Sequence, residues 1–175
     1  PGVLAAQGEV PPVGDDPADE QEQALPRVYL LPGEMHCAET RTVVTTVLGS
    51  CVAVCLHHRS TGISGINHFV LPISEGSETG LRYGDYAIDC LVASLRRVCG
   101  DDARFEAKVF GGAEMFPARF QGVSVGARNA AIAERRLAQL SIPIVAQATG
   151  GRGGFFMRFD TGTGTVMARR ITKMP

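Results

Sequence analysis

The spacing of apolar and polar residues divides most of the chain into short strands and two helices. The predicted strands cover residues 27–31, 42–48, 51–56, 63–71, 105–110, 143–148, 155–160 and 165–171. The run 51–56 is apolar at every position, which is typical of a strand buried on both faces. Apolar residues at helical spacing predict helices at about 84–99 and 125–140, the second with Ser124 as its N-cap.

This order of elements predicts an α/β domain built in layers. The connections between strands are short, which favours a mixed sheet over a doubly wound parallel one. Residues 1–25 are rich in Pro, Gly, Ala and acidic residues, so we expect a disordered acidic tail there and one folded domain at 26–175. The tail is acidic and the remainder is mildly basic, a pattern that fits either an acidic protein partner or ordinary surface charge.

Composition narrows the class of protein. Hydrophobic residues make up 45% and charged residues 20% of 175, as in ordinary globular proteins. The sequence has no apolar run of about 18 residues for a membrane span, no secretory signal and no Lys/Arg run dense enough for nucleic acid. Cys51 and Cys55 would lie about 13 Å apart on an extended strand, too far for a disulfide. An odd number of cysteines, five, therefore indicates free thiols and a cytoplasmic location.

Cys51 is the first candidate for chemistry, because it follows Gly49 and Ser50 at a break between two predicted strands. Glycine permits an unusual backbone there, and backbone N–H groups around the turn would form an oxyanion hole. An ionised cysteine is a good nucleophile. A free cysteine is also often a small buried core residue, so this segment alone leaves both interpretations open.

His68 is the second candidate, since it lies in an otherwise apolar predicted strand. Such a histidine is more often a hydrogen-bonded core residue than a base. Cysteine and histidine are nevertheless the minimal pair for thiol catalysis. A third group usually orients the imidazole, and spacing alone permits either Asn67 or Thr45.

Metal and phosphate binding are weaker interpretations. Cys51, Cys55 and His57 alternate on one strand face, and His58 and Cys37 are further candidate ligands. Zinc sites favour two tight ligand pairs, and a second pair is missing. The glycine-rich stretch 150–154 lies between predicted strands and lacks the Gly-Lys-Ser/Thr ending, so we interpret it as a simple loop. We expect neither a metal nor a cofactor.

Several segments together resemble the CheD family of chemoreceptor glutamine deamidases, over nearly all of 27–171. The residues that carry the resemblance are Leu48-Gly49-Ser50-Cys51-Val52-Ala53-Val54, Asn67-His68-Phe69-Val70-Leu71-Pro72, Tyr83-Gly84-Asp85-Tyr86-Ala87, Ala107-Lys108-Val109-Phe110-Gly111-Gly112-Ala113-Glu114-Met115 and Val125-Gly126-Ala127-Arg128-Asn129. Gly150-Gly151 and Thr163-Gly164-Thr165-Val166 fit as well. Each segment is weak alone, but their order and spacing are specific.

The resemblance implies a three-layer α/β fold related to glutamine-deamidating bacterial toxins. It implies Cys51 as nucleophile, His68 as base and Thr45, rather than Asn67, as the third member. Gly49, Ser50 and Asn67 are the expected oxyanion and substrate-binding residues. One departure is Phe155, which stands where the family usually has a basic residue after the glycine-rich loop; Arg152 is the candidate replacement.

The resemblance also implies methyl-accepting chemotaxis receptors as substrates, hydrolysis of glutamyl methyl esters as a related reaction, and a CheC-type phosphatase as a further partner. A different class of function, a binding module acting on such a phosphatase or on receptors, would not need Cys51. A cysteine protease is disfavoured, because the sequence reveals no extended cleft for a peptide.

Overall fold

The computed structural model describes residues 24–74, 79–115 and 122–171, and nine strands and two helices lie within these ranges. In chain order they are β1 (Arg27–Tyr29), β2 (Glu34–Ala38), β3 (Val43–Leu48), β4 (Val52–His58), β5 (Ile63–Phe69), α1 (Gly84–Cys99), β6 (Glu106–Gly111), α2 (Val125–Gln139), β7 (Ile144–Thr149), β8 (Gly154–Asp160) and β9 (Thr165–Ile171).

The strands form two sheets. The outer sheet has the order β1-β3-β8-β9, and the central sheet has the order β2-β5-β4-β6-β7. Each sheet contains one parallel pair, β1 with β3 and β6 with β7, while the other neighbours are antiparallel. The prediction of mixed rather than doubly wound parallel pairing is therefore confirmed.

Both helices pack on one face of the central sheet and form the first layer. The apolar stripe of α1 places Ala87, Ile88, Leu91 and Leu95 in the core, each at most 1% exposed. Helix α2 begins after Ser124, whose Oγ accepts a hydrogen bond from the Ala127 N–H at 3.2 Å and so caps the helix as predicted. The predicted bounds of both helices agree with the structure to within one residue.

The outer sheet covers the other face of the central sheet, which gives three layers. A second apolar core lies between the two sheets and includes Leu48, Ala53, Ile66 and Met157. Strand β4 contributes to both cores, since Val52 and Val54 pack toward the helices while Ala53 and Cys55 pack toward the outer sheet. Its apolar run is thus buried on both faces, as predicted.

Strand β2 (Glu34–Ala38) was not predicted, because its sequence Glu-Met-His-Cys-Ala lacks a clear alternation and it lies at the edge of the central sheet. The predicted tail falls mostly outside the described residues, which begin at residue 24. Within the described part of the chain, no helix is both long and apolar enough to cross a membrane.

Candidate active site

Cys51 lies in the short connection between β3 and β4, and the end of β6 fastens this connection. The Ala113 N–H donates to the Gly49 carbonyl and the Gly112 N–H donates to the Cys51 carbonyl, both at 2.8 Å. The backbone on either side of the thiol is therefore held by hydrogen bonds, although Cys51 precedes the first residue of β4.

Two glycines, Gly49 and Gly111, allow residues 111–115 to pack closely against the connection that carries Cys51. Gly111 has φ +108°, and a Cβ at that position would collide with the Cys51 carbonyl oxygen. A Cβ at Gly49 would lie only 3.0 Å from Sδ of Met115. The chain at residues 49–51 therefore packs against backbone and side-chain atoms that a larger residue at either position would displace.

Cys51 and His68 share one face of the central sheet. In the β4–β5 ladder, His68 stands opposite Ala53. Cys51 precedes Ala53 by two residues and packs, like Ala53, against the core between the sheets. Diagonal neighbours on one sheet face lie about 7–8 Å apart between Cα atoms, within reach of long side chains. The register thus brings the thiol and the imidazole to the same region.

The hydrogen bonds around His68 fix which ring nitrogen carries the proton. Nδ1 lies 2.9 Å from the Thr46 hydroxyl, and that hydroxyl donates its only proton to the Leu30 carbonyl at 2.8 Å. A hydroxyl that has donated its proton can only accept at its other contacts, so Nδ1–H is the donor to Thr46. Nε2 therefore carries the free lone pair. It is buried and has no hydrogen-bond partner among the described residues.

Burial keeps both groups neutral. It lowers the pKa of His68 below 6.5, against smaller raising effects of the Leu30 carbonyl and Glu34. Burial also raises the pKa of the Cys51 thiol, which the backbone N–H of Cys51 itself partly offsets. At neutral pH the site therefore holds a protonated thiol and an unprotonated imidazole on the same face of the sheet.

The structure turns the side chains of two predicted site residues, Thr45 and Asn67, away from the ring of His68. Thr46, not Thr45, contacts His68, because alternate residues of β3 face opposite sides and only Thr46 points toward the central sheet. The hydroxyl of Thr45 reaches the Val28 carbonyl at 3.5 Å. Asn67 lies on the helix-facing side of β5, where its Oδ1 accepts from the Val54 N–H at 3.1 Å.

The glycine-rich loop closes the same end of the molecule and does connect two strands, β7 and β8. The Glu114 N–H donates to the Gly151 carbonyl at 2.8 Å. The Arg170 guanidinium donates to the carbonyls of Arg152 and Gly150, each at 3.1 Å, and lies 4.5 Å from the Phe155 ring centroid. The cation beside Phe155 is therefore Arg170, whose guanidinium stacks on the ring, while Arg152 contributes its backbone carbonyl to the contact.

Among the described residues, no group of three or more His, Cys, Asp or Glu side chains is arranged to hold a metal ion. The described cysteines, including Cys51 and Cys55, are all free thiols. His57, one of the candidate ligands, instead hydrogen-bonds through Nδ1 to the Ser64 hydroxyl at 2.7 Å.

Sequence reasoning missed three groups at this site: Thr46, Asn129 and the pair Gly111-Gly112. Asn129 is fully buried in α2 and bonds to backbone carbonyls on both sides of the candidate pair. A polar residue within the apolar stripe of a predicted helix is the signal that could have identified Asn129. A Gly-Gly break after a strand was the signal for the glycines.

The fold and the site define an α/β protein that presents a thiol and an unprotonated imidazole at one end of two packed sheets. A family model described as CheD chemotactic sensory transduction matches residues 70–170. A probable chemoreceptor glutamine deamidase CheD from Rhodospirillum rubrum is 45% identical over 148 residues, 85% of this chain and 84% of that protein. The chain belongs to the CheD family of chemoreceptor glutamine deamidases.

Two further relatives agree. The protein of the same name from Caulobacter sp. (strain K31) is 42% identical over 91% of this chain and 85% of its own length. The one from Caulobacter vibrioides (strain NA1000 / CB15N) is 42% identical over 87% of this chain and 82% of its own. Matches of this length extend across the region of Cys51 and His68, which precedes the span of the family model.

Proposed function

We propose that this protein hydrolyses particular glutamine side chains of methyl-accepting chemotaxis receptors to glutamate, with Cys51 as nucleophile and His68 as general base. The observation that carries the proposal is the buried Nε2 of His68. It has no partner among the described residues, it bears the lone pair, and its ring lies on the sheet face that Cys51 shares.

In the first half of the reaction, the Cys51 thiol transfers its proton to His68 Nε2 while sulfur attacks the carboxamide carbon of the substrate. The negative charge that develops on oxygen is held by backbone N–H groups of the Gly49-Ser50-Cys51 connection. The imidazolium then protonates the departing nitrogen. The C–N bond breaks, ammonia leaves and a thioester remains on Cys51.

In the second half, His68 accepts a proton from water as the water oxygen attacks the thioester. The C–S bond breaks, glutamate is released, and the proton returns from His68 to the thiolate. Thr46 holds the ring through both halves, since its hydroxyl accepts from Nδ1–H and stabilises the imidazolium as it forms. The balance is one amide and one water consumed, with one carboxylic acid and one ammonia produced, and no cofactor takes part.

The consequence for the receptor is a change of charge. Each event replaces a neutral amide with a carboxylate, and like charges at neighbouring helical positions destabilise helix packing. Such a change biases a receptor between two signalling states.

The same acyl-enzyme chemistry would hydrolyse glutamyl methyl esters. We propose a CheC-type phosphatase as a second partner and the cytoplasm as the location. We also propose that the three-layer arrangement is related to that of glutamine-deamidating bacterial toxins. A binding-module role toward such a phosphatase would survive the loss of Cys51.

The test is co-expression with a receptor cytoplasmic fragment followed by intact mass measurement, in which each deamidated glutamine adds about one dalton. We expect wild type to add this mass, and Cys51→Ala and His68→Asn to add none. His68→Asn is chosen because its amide N–H can still donate to Thr46 while the basic nitrogen is absent.

Cys55→Ala is the matched control, because Cys55 lies four residues further along the chain on the same face of β4 and is also a free thiol. This variant should modify the receptor like wild type. A Cys51→Ala protein that still adds mass to the receptor would refute the assignment of the nucleophile.

A further inference from the structure

Asn129 is a buried polar residue that has no role in the steps proposed above. It lies on α2, is fully buried, and its side-chain N–H groups donate to the carbonyls of Ser50 at 2.9 Å and Val70 at 2.8 Å. A carboxamide NH₂ has two hydrogens, so both are engaged with backbone oxygen atoms.

These two carbonyls lie just beyond the end of the β4–β5 ladder. The last pair of that ladder is Val52 with Phe69, so Ser50, before Val52, and Val70, after Phe69, both lie outside the paired residues. Asn129 thus ties together the chain directly before Cys51 and the chain two residues after His68, and it anchors both to the helix layer. The two hydrogen bonds of Asn129 thus connect β4 and β5 just beyond their last backbone pair, next to both candidate catalytic residues.

The contact to Ser50 also sets the direction of the Cys51 N–H. The peptide between Ser50 and Cys51 is planar and trans, so its C=O and N–H point in opposite directions. Because the carbonyl is turned toward α2, the N–H is turned away from the helix layer. That N–H lies against the sulfur of Cys51, where it lowers the pKa of the thiol.

We infer that Asn129 is a positioning residue: it fixes the Ser50–Cys51 peptide so that the Cys51 N–H faces the reacting sulfur and the oxyanion formed beside it. This inference rests on the proposed function for its kinetic part. Without Asn129 the Ser50 carbonyl loses this donor, and the Ser50–Cys51 peptide is held only through the neighbouring carbonyls of Gly49 and Cys51. Its N–H is then less firmly directed at the charge that develops in the transition state.

The experiment compares Asn129→Ala and Asn129→Leu with Leu137→Ala. Asn129→Leu fills nearly the same volume but has no hydrogen-bond donor and no charge, so it tests the hydrogen bonds if the alanine variant fails to fold. Leu137 is fully buried on the same helix, two turns further on, and its truncation weakens the packing of α2 without touching residue 50. Thermal unfolding establishes that each variant is folded.

Two measurements are made on each protein. The first is kcat and KM for deamidation of a receptor cytoplasmic fragment. The second is the rate of alkylation of Cys51 by iodoacetamide from pH 6 to 10, followed by peptide mass so that the other cysteines do not interfere. We expect both Asn129 variants to lower kcat about 10- to 100-fold with KM within about twofold, and to move the midpoint of Cys51 alkylation to higher pH. Leu137→Ala should lower the unfolding temperature and leave kcat and the midpoint near wild type.

The positioning role is overturned if the folded Asn129 variants keep the wild-type alkylation midpoint, or if Leu137→Ala lowers kcat and moves the midpoint as much as they do. If wild type itself fails to deamidate the receptor fragment while the midpoint still moves in the Asn129 variants alone, the proposed function fails and the positioning role stands.

Discussion

Thr46 and Thr45 are neighbours on β3, yet their side chains project from opposite faces of the outer sheet. The hydroxyl of Thr46 is fully buried between the sheets, where it donates to the Leu30 carbonyl and accepts from His68. Thr45 is only partly buried, and its hydroxyl reaches the Val28 carbonyl at 3.5 Å. The ring of His68 is therefore oriented by a neutral hydroxyl that is itself held by a backbone carbonyl.

Replacing Thr46 by valine should impair catalysis, because valine has the same shape and no hydroxyl. Nδ1–H of His68 would be buried without this acceptor, which costs about 1–3 kcal/mol of the free energy of unfolding. The imidazole would also lose its fixed orientation, and kcat should fall about 10- to 100-fold. Urea unfolding and kcat on a receptor fragment measure the two effects.

Thr45→Val is the matched control and should keep nearly all activity. If Thr45→Val were the more damaging substitution, the role of Thr46 as the orienting group would be wrong.

The candidate pair could be found from sequence, while its surroundings could not. Cys51 was recognisable after Gly-Ser at a strand break, and His68 as a polar residue in an apolar strand. The choice between Thr45 and Thr46 depends on which face of β3 meets the central sheet, and two adjacent threonines carry no periodicity to decide it. Asn129 acts through distant backbone carbonyls, which only the tertiary structure brings to it.

At the scale of elements, the end of β6 supports the connection that carries Cys51. Gly111 is the last residue of that strand, and its φ of +108° brings its Cα close to the Cys51 carbonyl. Gly100, which ends α1, has a similar φ of +95° but no atom within 4 Å of the position of a Cβ. The two glycines therefore share a positive φ, which a residue with a Cβ adopts only with strain, and they differ in which atoms a side chain would contact.

Gly111→Ala should lower both stability and activity. The positive φ costs about 1–3 kcal/mol for an alanine, and the collision with the Cys51 carbonyl adds to this and displaces the thiol. Gly100→Ala should cost only the strain and keep its activity. Urea unfolding and deamidation rates of both variants provide the comparison, and equal activity in the two would show that the close approach at Gly111 does not matter for the site.

The accuracy of the predicted elements follows from how strongly each is patterned. Helices α1 and α2 present apolar stripes with period 3.6 to the central sheet, and their predicted bounds were nearly correct. Strand β4 was recognisable because both of its faces are buried. Strand β2 is paired on one side only, and most of its residues are partly or fully exposed, so its sequence has little hydrophobic signal.

At the scale of the whole molecule, the separation into two sheets was beyond the reach of local pattern. The outer sheet depends on the pairing of β3 with β8, in which Val43 stands opposite Asp160, more than a hundred residues away in the chain. Hydrophobic periodicity gives the face of a strand but not its neighbour. The histidine of the site is buried only because this distant pairing places the outer sheet over it.

Burial of histidines makes the stability of the whole molecule depend on pH. Burial lowers the pKa of His68, His36 and His57 below the ordinary value of 6.5. Below about pH 6.5 the unfolded chain binds protons at these positions, while the folded protein does not until the pH reaches the lowered values. The unfolded state then holds more protons, so the free energy of unfolding decreases as the pH falls.

We therefore expect the free energy of unfolding, measured by urea at a series of pH values, to be steady near neutrality and to decline from about pH 6.5 downward. A single histidine that is neutral when folded and charged when unfolded contributes a slope of up to about 1.4 kcal/mol per pH unit. His68 is 1% exposed, so His68→Asn should remove its share of the slope, whereas the residual slope from His36 and His57 should persist. If wild type and His68→Asn declined in parallel between pH 6.5 and 5, His68 would have the same pKa in the folded and the unfolded protein, and burial would not be what keeps its ring unprotonated.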